Sequence, residues 1–317
     1  MKIRLLPHTQ SIEPSNGIGR VVYAQHRHLP SYGIDIVDSD DADLFVGHTQ
    51  QFDLPRIDVL HLHGMYWFGD LNSGTYGQYN LQANQSIIEA ARRAHVITVP
   101  SAWVAMPFKR DMRIDPVVIG HGIEFTEWNV GEPQGYALWG KNRAIDVCKP
   151  DAPYELAQRG VSVMSTFALQ GKQIPQAMQI IGPQEQEAMK QIIGGADVYL
   201  ATVKETFGIQ TLEAMACGVP VIGWNYGGTA DIVTSGHDGL LVKPGDYAAL
   251  YEAYKEAMNR RDELGRNARE TASRYDWHDI IGQYAALYER VADEMQHERR
   301  GVSVVITNYN YGRYVDR

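Results

Sequence analysis

The strongest constraint on this chain is an alternation, carried through twice, of short apolar runs with longer segments whose apolar residues recur at helical spacing. A short run rich in Val, Ile and Leu fits a strand buried on both faces, and the intervening pattern fits helices that cover a parallel sheet. In the first half the runs fall at residues 3–6, 44–46, 59–62, 96–99 and 117–119, with helical patterns at 20–29 and 81–94. In the second half strands are expected at 136–139, 161–165, 197–201, 220–224 and 240–242. Helices are expected there at 153–159, 183–193, 209–217 and 229–234, with one more opening after Pro244-Gly245-Asp246. Each half therefore reads as an α/β unit with a Rossmann-like sheet.

At 317 residues the chain exceeds the roughly 250–300 residues at which one core stops growing, so two domains are the expectation. The turn-rich Gly131-Glu132-Pro133-Gln134-Gly135 divides them into 1–130 and 131–275. Residues 276–300 carry Ile280, Ile281, Tyr284, Leu287, Tyr288 and Val291 at helical spacing, which predicts one long amphipathic helix packing back on the first domain. The apolar run 301–306 reads as a strand opening a further element, 301–317, or as a last strand of this domain.

Charge and cysteine usage narrow the partners. A formal net charge of -9 disfavours nucleic acid as a ligand. Cys148 and Cys217 stand in unrelated contexts without metal-ligand spacing, so neither a disulfide framework nor a metal site is expected, and a reducing cytoplasm fits. No window approaches the ~20 apolar residues of a membrane span, so membrane contact is expected to be peripheral at most. Trp103, Phe108, Lys109, Arg110 and Arg113 would suit contact with a membrane or a polyanionic acceptor, or else an ordinary amphipathic surface.

The densest chemical signal is the segment 204–220, which runs from a loop containing Glu205, through Phe207, Gly208, Ile209 and Thr211 at a helix start, to Glu213 inside that helix. A helix amino terminus offers free amides to phosphate, and carboxylates accept hydrogen bonds from neutral hydroxyls. Two acids flanking an amide-lined anion site suit a diphosphate with a polyol at each end. A plain amphipathic helix with two solvated acids and a glycine stop fits the spacing alone as well.

The wider context resembles glycosyltransferase family 4, in which a Glu, seven residues and a second Glu occur as Glu205 and Glu213 do here. The motifs Gly218-Val219-Pro220, Gly227-Gly228, 236–242 and Pro244-Gly245-Asp246 follow in that family's order. The resemblance implies the GT-B fold, two Rossmann-like domains facing each other across a cleft. It also implies a retaining transferase moving a hexose-type sugar from a UDP- or GDP-sugar donor, without metal or other cofactor. By resemblance Glu205 would meet the transferred sugar, Glu213 the ribose, and the amides around Phe207 to Thr211 the phosphates. Asp231 stands where the family more often has a Glu.

Lys141 and Arg143, after the strand at 136–139, would offset the diphosphate, with Lys149 a weaker candidate. Gly17 and Gly19 would bring amides to the phosphate across the cleft, or else form a tight βα turn. His63 ends the strand at 59–62, where open α/β sheets hold ligands, and resembles the family's histidine beside the transferred sugar and acceptor. His61 and His63 alternate as metal ligands sometimes do, but no third ligand is evident. The aromatic segment 65–79 is the acceptor candidate, or a plug between the domains.

No side chain is an evident covalent nucleophile, so front-face transfer is implied, with Glu205, His63 and Lys141 at the reacting end. The acceptor, a glycan, lipid-linked sugar or other hydroxyl compound, is not specified. Rival readings are a sugar-nucleotide epimerase, a phosphorylase, or a non-catalytic sugar-nucleotide-binding module. The residues 302–310 resemble the opening of a family 2 glycosyltransferase of GT-A fold, which implies fusion to a second transferase.

Overall fold

A computed structural model describes residues 1–13, 16–49, 54–65, 78–141, 143–144 and 146–299. The apolar runs become the central strands of two parallel sheets. The first sheet contains β1 (Lys2–Leu6), β2 (Asp35–Ile36), β3 (Leu44–His48), β4 (Ile57–His61), β5 (Ala94–Val99) and β6 (Val117–Val118), in the order β2-β1-β3-β4-β5-β6. Strands β3 and β4 are buried at every position, as strands covered on both faces must be.

The second sheet contains β7 (Ala137–Trp139), β8 (Val163–Ser165), β9 (Met178–Ile180), β10 (Val198–Ala201), β11 (Val221–Trp224) and β12 (Gly239–Val242), in the order β12-β11-β10-β7-β8-β9. In both sheets all neighbours pair in parallel. The strand order reverses once in each sheet, between β1 and β3 and between β7 and β10. Crevices beyond the carboxyl ends of strands at such reversals are where open α/β sheets take ligands.

Two helix starts matter for the site. Helix α1 (Gly17–His28) begins three residues earlier than the apolar pattern suggests, because the Asn16 side chain caps it by accepting from the Gly19 amide at 2.6 Å. Helix α6 (Ile209–Ala216) follows Gly208, whose φ of +118° favours glycine. The remaining helices are α2 (Gln78–Arg93), α3 (Ala102–Pro107), α4 (Asp151–Gln158), α5 (Gln186–Gly194), α7 (Gly227–Ile232), α8 (Tyr247–Asn259), α9 (Arg261–Ser273) and α10 (Trp277–Arg299).

Helix α10 packs on the first sheet although it follows the second in sequence. Its Trp277, Ile281, Tyr284 and Tyr288 share one core with Ile3, Leu5, Val21 and Val59. Among the described residues no helix is long and apolar enough to cross a membrane. Phe108, read from sequence as part of an amphipathic surface, is fully buried in the core of the first lobe. Lys109 and Arg110 pair there with Asp115 and Asp111. The tail 301–317, with its resemblance to a family 2 transferase, lies outside the described residues.

Candidate functional site

The loop between β10 and α6 carries Glu205 to Gly208 to the carboxyl edge of the second sheet. It is braced by two glycines at the start of α7. A β-carbon on Gly228 would lie 2.2 Å from Phe207 Cα, and one on Gly227 would lie 2.5 Å from the Glu205 carbonyl oxygen. The Gly228 amide donates to that carbonyl at 2.9 Å. The paired glycines therefore let one helix terminus press against the backbone of the acidic loop, which any side chain would prevent.

Lys141 leaves the end of β7, the strand next to β10, and reaches the same loop. Its Nζ meets Glu205 Oε1 at 2.9 Å and lies 5.5 Å from the centre of the Tyr199 ring. The lysine is buried. Burial pushes its ammonium down, but Glu205 and Tyr199 outweigh that effect and hold it above its ordinary value, so the cation persists at neutral pH. Its backbone amide donates to Thr166 Oγ1 at 2.8 Å, which ties it to the end of β8. The second carboxylate oxygen of Glu205 is buried and has no hydrogen-bond partner among the described residues.

Glu213 lies one turn inside α6, buried, and pairs across the cleft with the Arg20 guanidinium from the first turn of α1. Burial raises its carboxyl pKa, while Arg20 and Lys141 oppose the rise. Ser101 adds a second tie between lobes by donating to the Thr206 carbonyl at 2.6 Å. Phe207 closes the gap between them, its ring 5.0 Å from His121 and 6.1 Å from Tyr275.

Apart from Arg20, the first lobe contributes neutral groups in place of charges. His63 follows β4 and His121 follows β6, with ring centres 5.3 Å apart. Burial drives His63 down to about 4 and also lowers His121. Thr49, just past β3, has φ of +66°, a strained conformation for a β-branched residue, and its amide donates to the His61 carbonyl at 2.9 Å.

Arg20, Thr49, His63, His121, Lys141, Glu205 and Glu213 line one cavity between the lobes, of about 1170 Å³. Of the residues singled out from sequence, Gly17, His63, Lys141, Arg143, Glu205, Phe207, Gly208, Ile209 and Glu213 meet there. Gly19 does not. Its amide is taken by Asn16, and a β-carbon on it would lie 1.9 Å from the Glu13 carbonyl oxygen, so close packing of the preceding turn demands the glycine. Thr211 is fully buried behind the lining, its hydroxyl without a partner. Lys149 is exposed and apart from the cavity.

Asp231 also stands away from the cavity. Its carboxylate accepts from the Trp103 amide in the first turn of α3 at 3.3 Å, so it supports a helix start on the opposite lobe. Met65 and Tyr79, the two ends of the aromatic acceptor candidate, line the cavity, while residues 66–77 between them lie outside the described residues. His61 faces the interior of the first lobe, bonded to Thr98 and Tyr288. Among the described residues no group of three or more His, Cys, Asp or Glu side chains is arranged to hold a metal ion.

Sequence reasoning passed over several lining residues. Arg20 was visible only as the residue after Gly19, and His121 only as a histidine between two glycines at a strand end, a signal open to the same argument as His63. Thr49 carried no signal, because its conformation follows from the packing of β3 against β4.

Comparison with known proteins agrees with this layout. Residues 167–274 match the family model described as glycosyl transferases group 1. A D-inositol 3-phosphate glycosyltransferase of Geodermatophilus obscurus is 33% identical over 170 residues, covering 52% of this chain and 32% of that protein. A phosphatidyl-myo-inositol mannosyltransferase of Propionibacterium freudenreichii is 28% identical over 207 residues, covering 60% of this chain and 54% of that protein. The matched part of the chain thus spans between about a third and about half of these curated relatives.

Among solved structures, Anabaena HepE in complex with UDP and glucose superposes with a TM-score of 0.71 at 18% identity, covering 92% of this chain and all 100% of that one. Sucrose-phosphate synthase from Thermosynechococcus elongatus superposes with a TM-score of 0.70 at 15% identity, covering 93% and 100%. The architecture they share with this chain is GT-B, two Rossmann-like lobes facing one cleft.

Proposed function

We propose that this chain is a retaining glycosyltransferase of family 4 type, which moves a hexose-type sugar from a UDP- or GDP-sugar to an acceptor hydroxyl without a metal ion. One observation carries the proposal. Glu205 and Glu213 flank the amino terminus of α6 on one cavity wall, with Lys141 beside the first and Arg20 beside the second. A diphosphate between those acids would meet the α6 amides and the Lys141 and Arg143 cations, leaving the two carboxylates to its ribose and sugar hydroxyls.

The reaction follows from the placement of charge. As the sugar-phosphate bond breaks, negative charge grows on the leaving diphosphate, and preorganised amides and cations stabilise that charge most in the transition state. The departing phosphate oxygen would take the acceptor hydroxyl's proton on the face it leaves, so configuration is retained without a covalent intermediate. His63 and the segment 65–79 would face the sugar and acceptor. The named functions of the curated relatives, transfer to an inositol phosphate or a phosphatidyl inositol, support an acceptor that is itself a hydroxyl compound.

The test uses UDP- and GDP-hexoses with a panel of acceptors, read as nucleoside diphosphate release and as the anomeric configuration of the product. Glu205→Ala is a poor probe because it leaves the buried Lys141 cation unpaired. Glu205→Gln keeps a hydrogen-bonding group there, and it is expected to fold and to lose transfer by a factor of about 100 or more. Undiminished turnover in this variant, or an altered sugar nucleotide without any acceptor, would end the proposal.

A further inference from the structure

Behind His63 runs a chain of buried polar side chains that the transfer reaction does not itself require. Gln25 from α1 stands at its centre. The Gln25 Nε2 donates to the Tyr288 hydroxyl of α10 at 2.9 Å, and that hydroxyl meets His61 Nε2 at 2.6 Å. The other ring nitrogen of His61 meets Thr98 Oγ1. On the opposite side Gln25 Oε1 meets His48 Nε2 at 2.9 Å, and His48 Nδ1 meets His63 Nε2 at 2.9 Å. Gln25, His48, His61 and Thr98 are all buried, as is Tyr288.

Each neutral imidazole has one nitrogen that donates and one that accepts, so such a chain transmits polarity from end to end. An amide oxygen only accepts. With Gln25 Oε1 facing it, His48 Nε2 must carry the proton, which leaves His48 Nδ1 bare. His63 Nε2 must then carry a proton to donate to it, and His63 Nδ1 becomes a bare acceptor. On the other branch Gln25 donates to Tyr288, Tyr288 to His61 Nε2, and His61 Nδ1 to Thr98.

All four rings are held neutral, since burial lowers His48, His61, His63 and His121 and each further charge would repel the others. Two observations at the cavity end point to a ligand. Among the described residues His63 Nδ1 and His121 Nδ1 are both buried without a hydrogen-bond partner, and both residues line the cavity. A buried polar atom left unpaired is costly, so a bound hydroxyl that donates to it is stabilised there.

The geometry points to Gln25, His48 and Tyr288 as positioning residues that lock His63 in the tautomer protonated on Nε2, so that Nδ1 accepts a hydrogen bond from a sugar or acceptor hydroxyl. The recognition of a hydroxyl rests on the transferase reading above; the locking of the tautomer does not. In this arrangement the long helix after the second sheet reaches into the first lobe and sets the hydrogen-bonding character of a residue at the sugar end of the cavity.

The test is nitrogen NMR on the whole chain with labelled histidine at neutral pH, which distinguishes bare from protonated ring nitrogens and needs no substrate. His63 is expected to show Nε2 protonated and Nδ1 bare. A proton on His63 Nδ1 in the unaltered protein overturns the inference. Gln25→Met, which removes both ends of the amide, is expected to mix the two His63 tautomers and to lower kcat by about tenfold with donor KM little changed. An unmixed tautomer in that variant also overturns it.

His48→Gln supplies a second variant, because an amide there can donate to Gln25 and accept from His63. It is expected to keep more turnover than His48→Leu, and equal losses in the two count against the relay. If transfer is never observed while the His63 tautomer is as stated, the functional reading fails and the relay stands. If transfer proceeds with the opposite tautomer, the reverse holds.

Discussion

The two lobes are alike in kind, each a six-stranded parallel sheet with one reversal of strand order at a different place in that order, yet they dress the cleft in opposite ways. The second lobe brings ions, a buried Lys141 with a half-buried Glu205, and a buried Glu213 that draws Arg20 from across the cleft. The first lobe, apart from Arg20, brings uncharged histidines held by an amide and a phenol. Ions suit a ligand segment that is itself charged, as a diphosphate is. Neutral donors and acceptors suit hydroxyls, as carboxylates that accept from them also do. On the proposed reading the cations and helix amides of the second lobe would hold the diphosphate, its two carboxylates the ribose and sugar hydroxyls, and the first lobe would add neutral groups at the sugar end.

The largest expected effect breaks the charged wall. Lys141→Met leaves Glu205 partly buried without its cation, so transfer should fall by a factor of about 100 to 1,000 and stability by about 3 kcal/mol. The double change Lys141→Met with Glu205→Leu should recover most of the stability and none of the transfer. Denaturant melts alongside product assays would check both, and recovery of activity in the double variant would show that the pair is structural only.

The neutral wall is sharpened by pH. His61 falls to about 3 and His63 to about 4 in the folded chain, against an ordinary 6.5. Below 6.5 the unfolded chain binds protons that the folded chain refuses, so stability is full above that pH and is lost as pH falls toward about 4. The slope is about 1.4 kcal/mol per pH unit for each such histidine. Urea melts at pH 7.5 and 5.5 would measure it, and a flat profile would mean that the cluster takes up protons freely.

The smallest effect concerns the contact between the walls. Asp231→Ala removes the carboxylate that meets the Trp103 amide across the cleft, and the cost should be about 1 kcal/mol with kcat unchanged. A large loss of turnover in that variant would place Asp231 at the reacting end after all. Such a result would also blur the division of labour between the lobes.

Much of the architecture was legible because burial on both faces leaves long-lasting marks in local sequence. Strands β1, β3, β4 and β7 came from their apolar runs, and α10 from its periodic Ile, Leu and Tyr. Helix α9 escaped because its buried face is mostly small, Gly265, Ala268 and Ala272 beside Leu264, which lets it pack closely on α6 but carries little hydropathic contrast. Strand β2 is too short to show a period. At the site, spacing alone left Glu205 and Glu213 open to a plain amphipathic helix, and resemblance to a family pattern singled them out with Lys141; all three line the cavity, whereas Gly19, read as a phosphate contact or a tight turn, serves the turn, since a glycine needed for packing looks the same in sequence.

By itself the sequence determined the two α/β halves, the glycine-started α6 and the acids in the loop before it and one turn inside it, because patterning, caps and turns act over a few residues. Only the tertiary structure decided which charges meet. Arg20 and Glu213 pair across 193 residues, and Gln25 reaches Tyr288 across 263. Such partners are chosen by how two sheets and a returning helix pack. A buried polar atom must find its complement wherever packing places one, and no local pattern records where that will be.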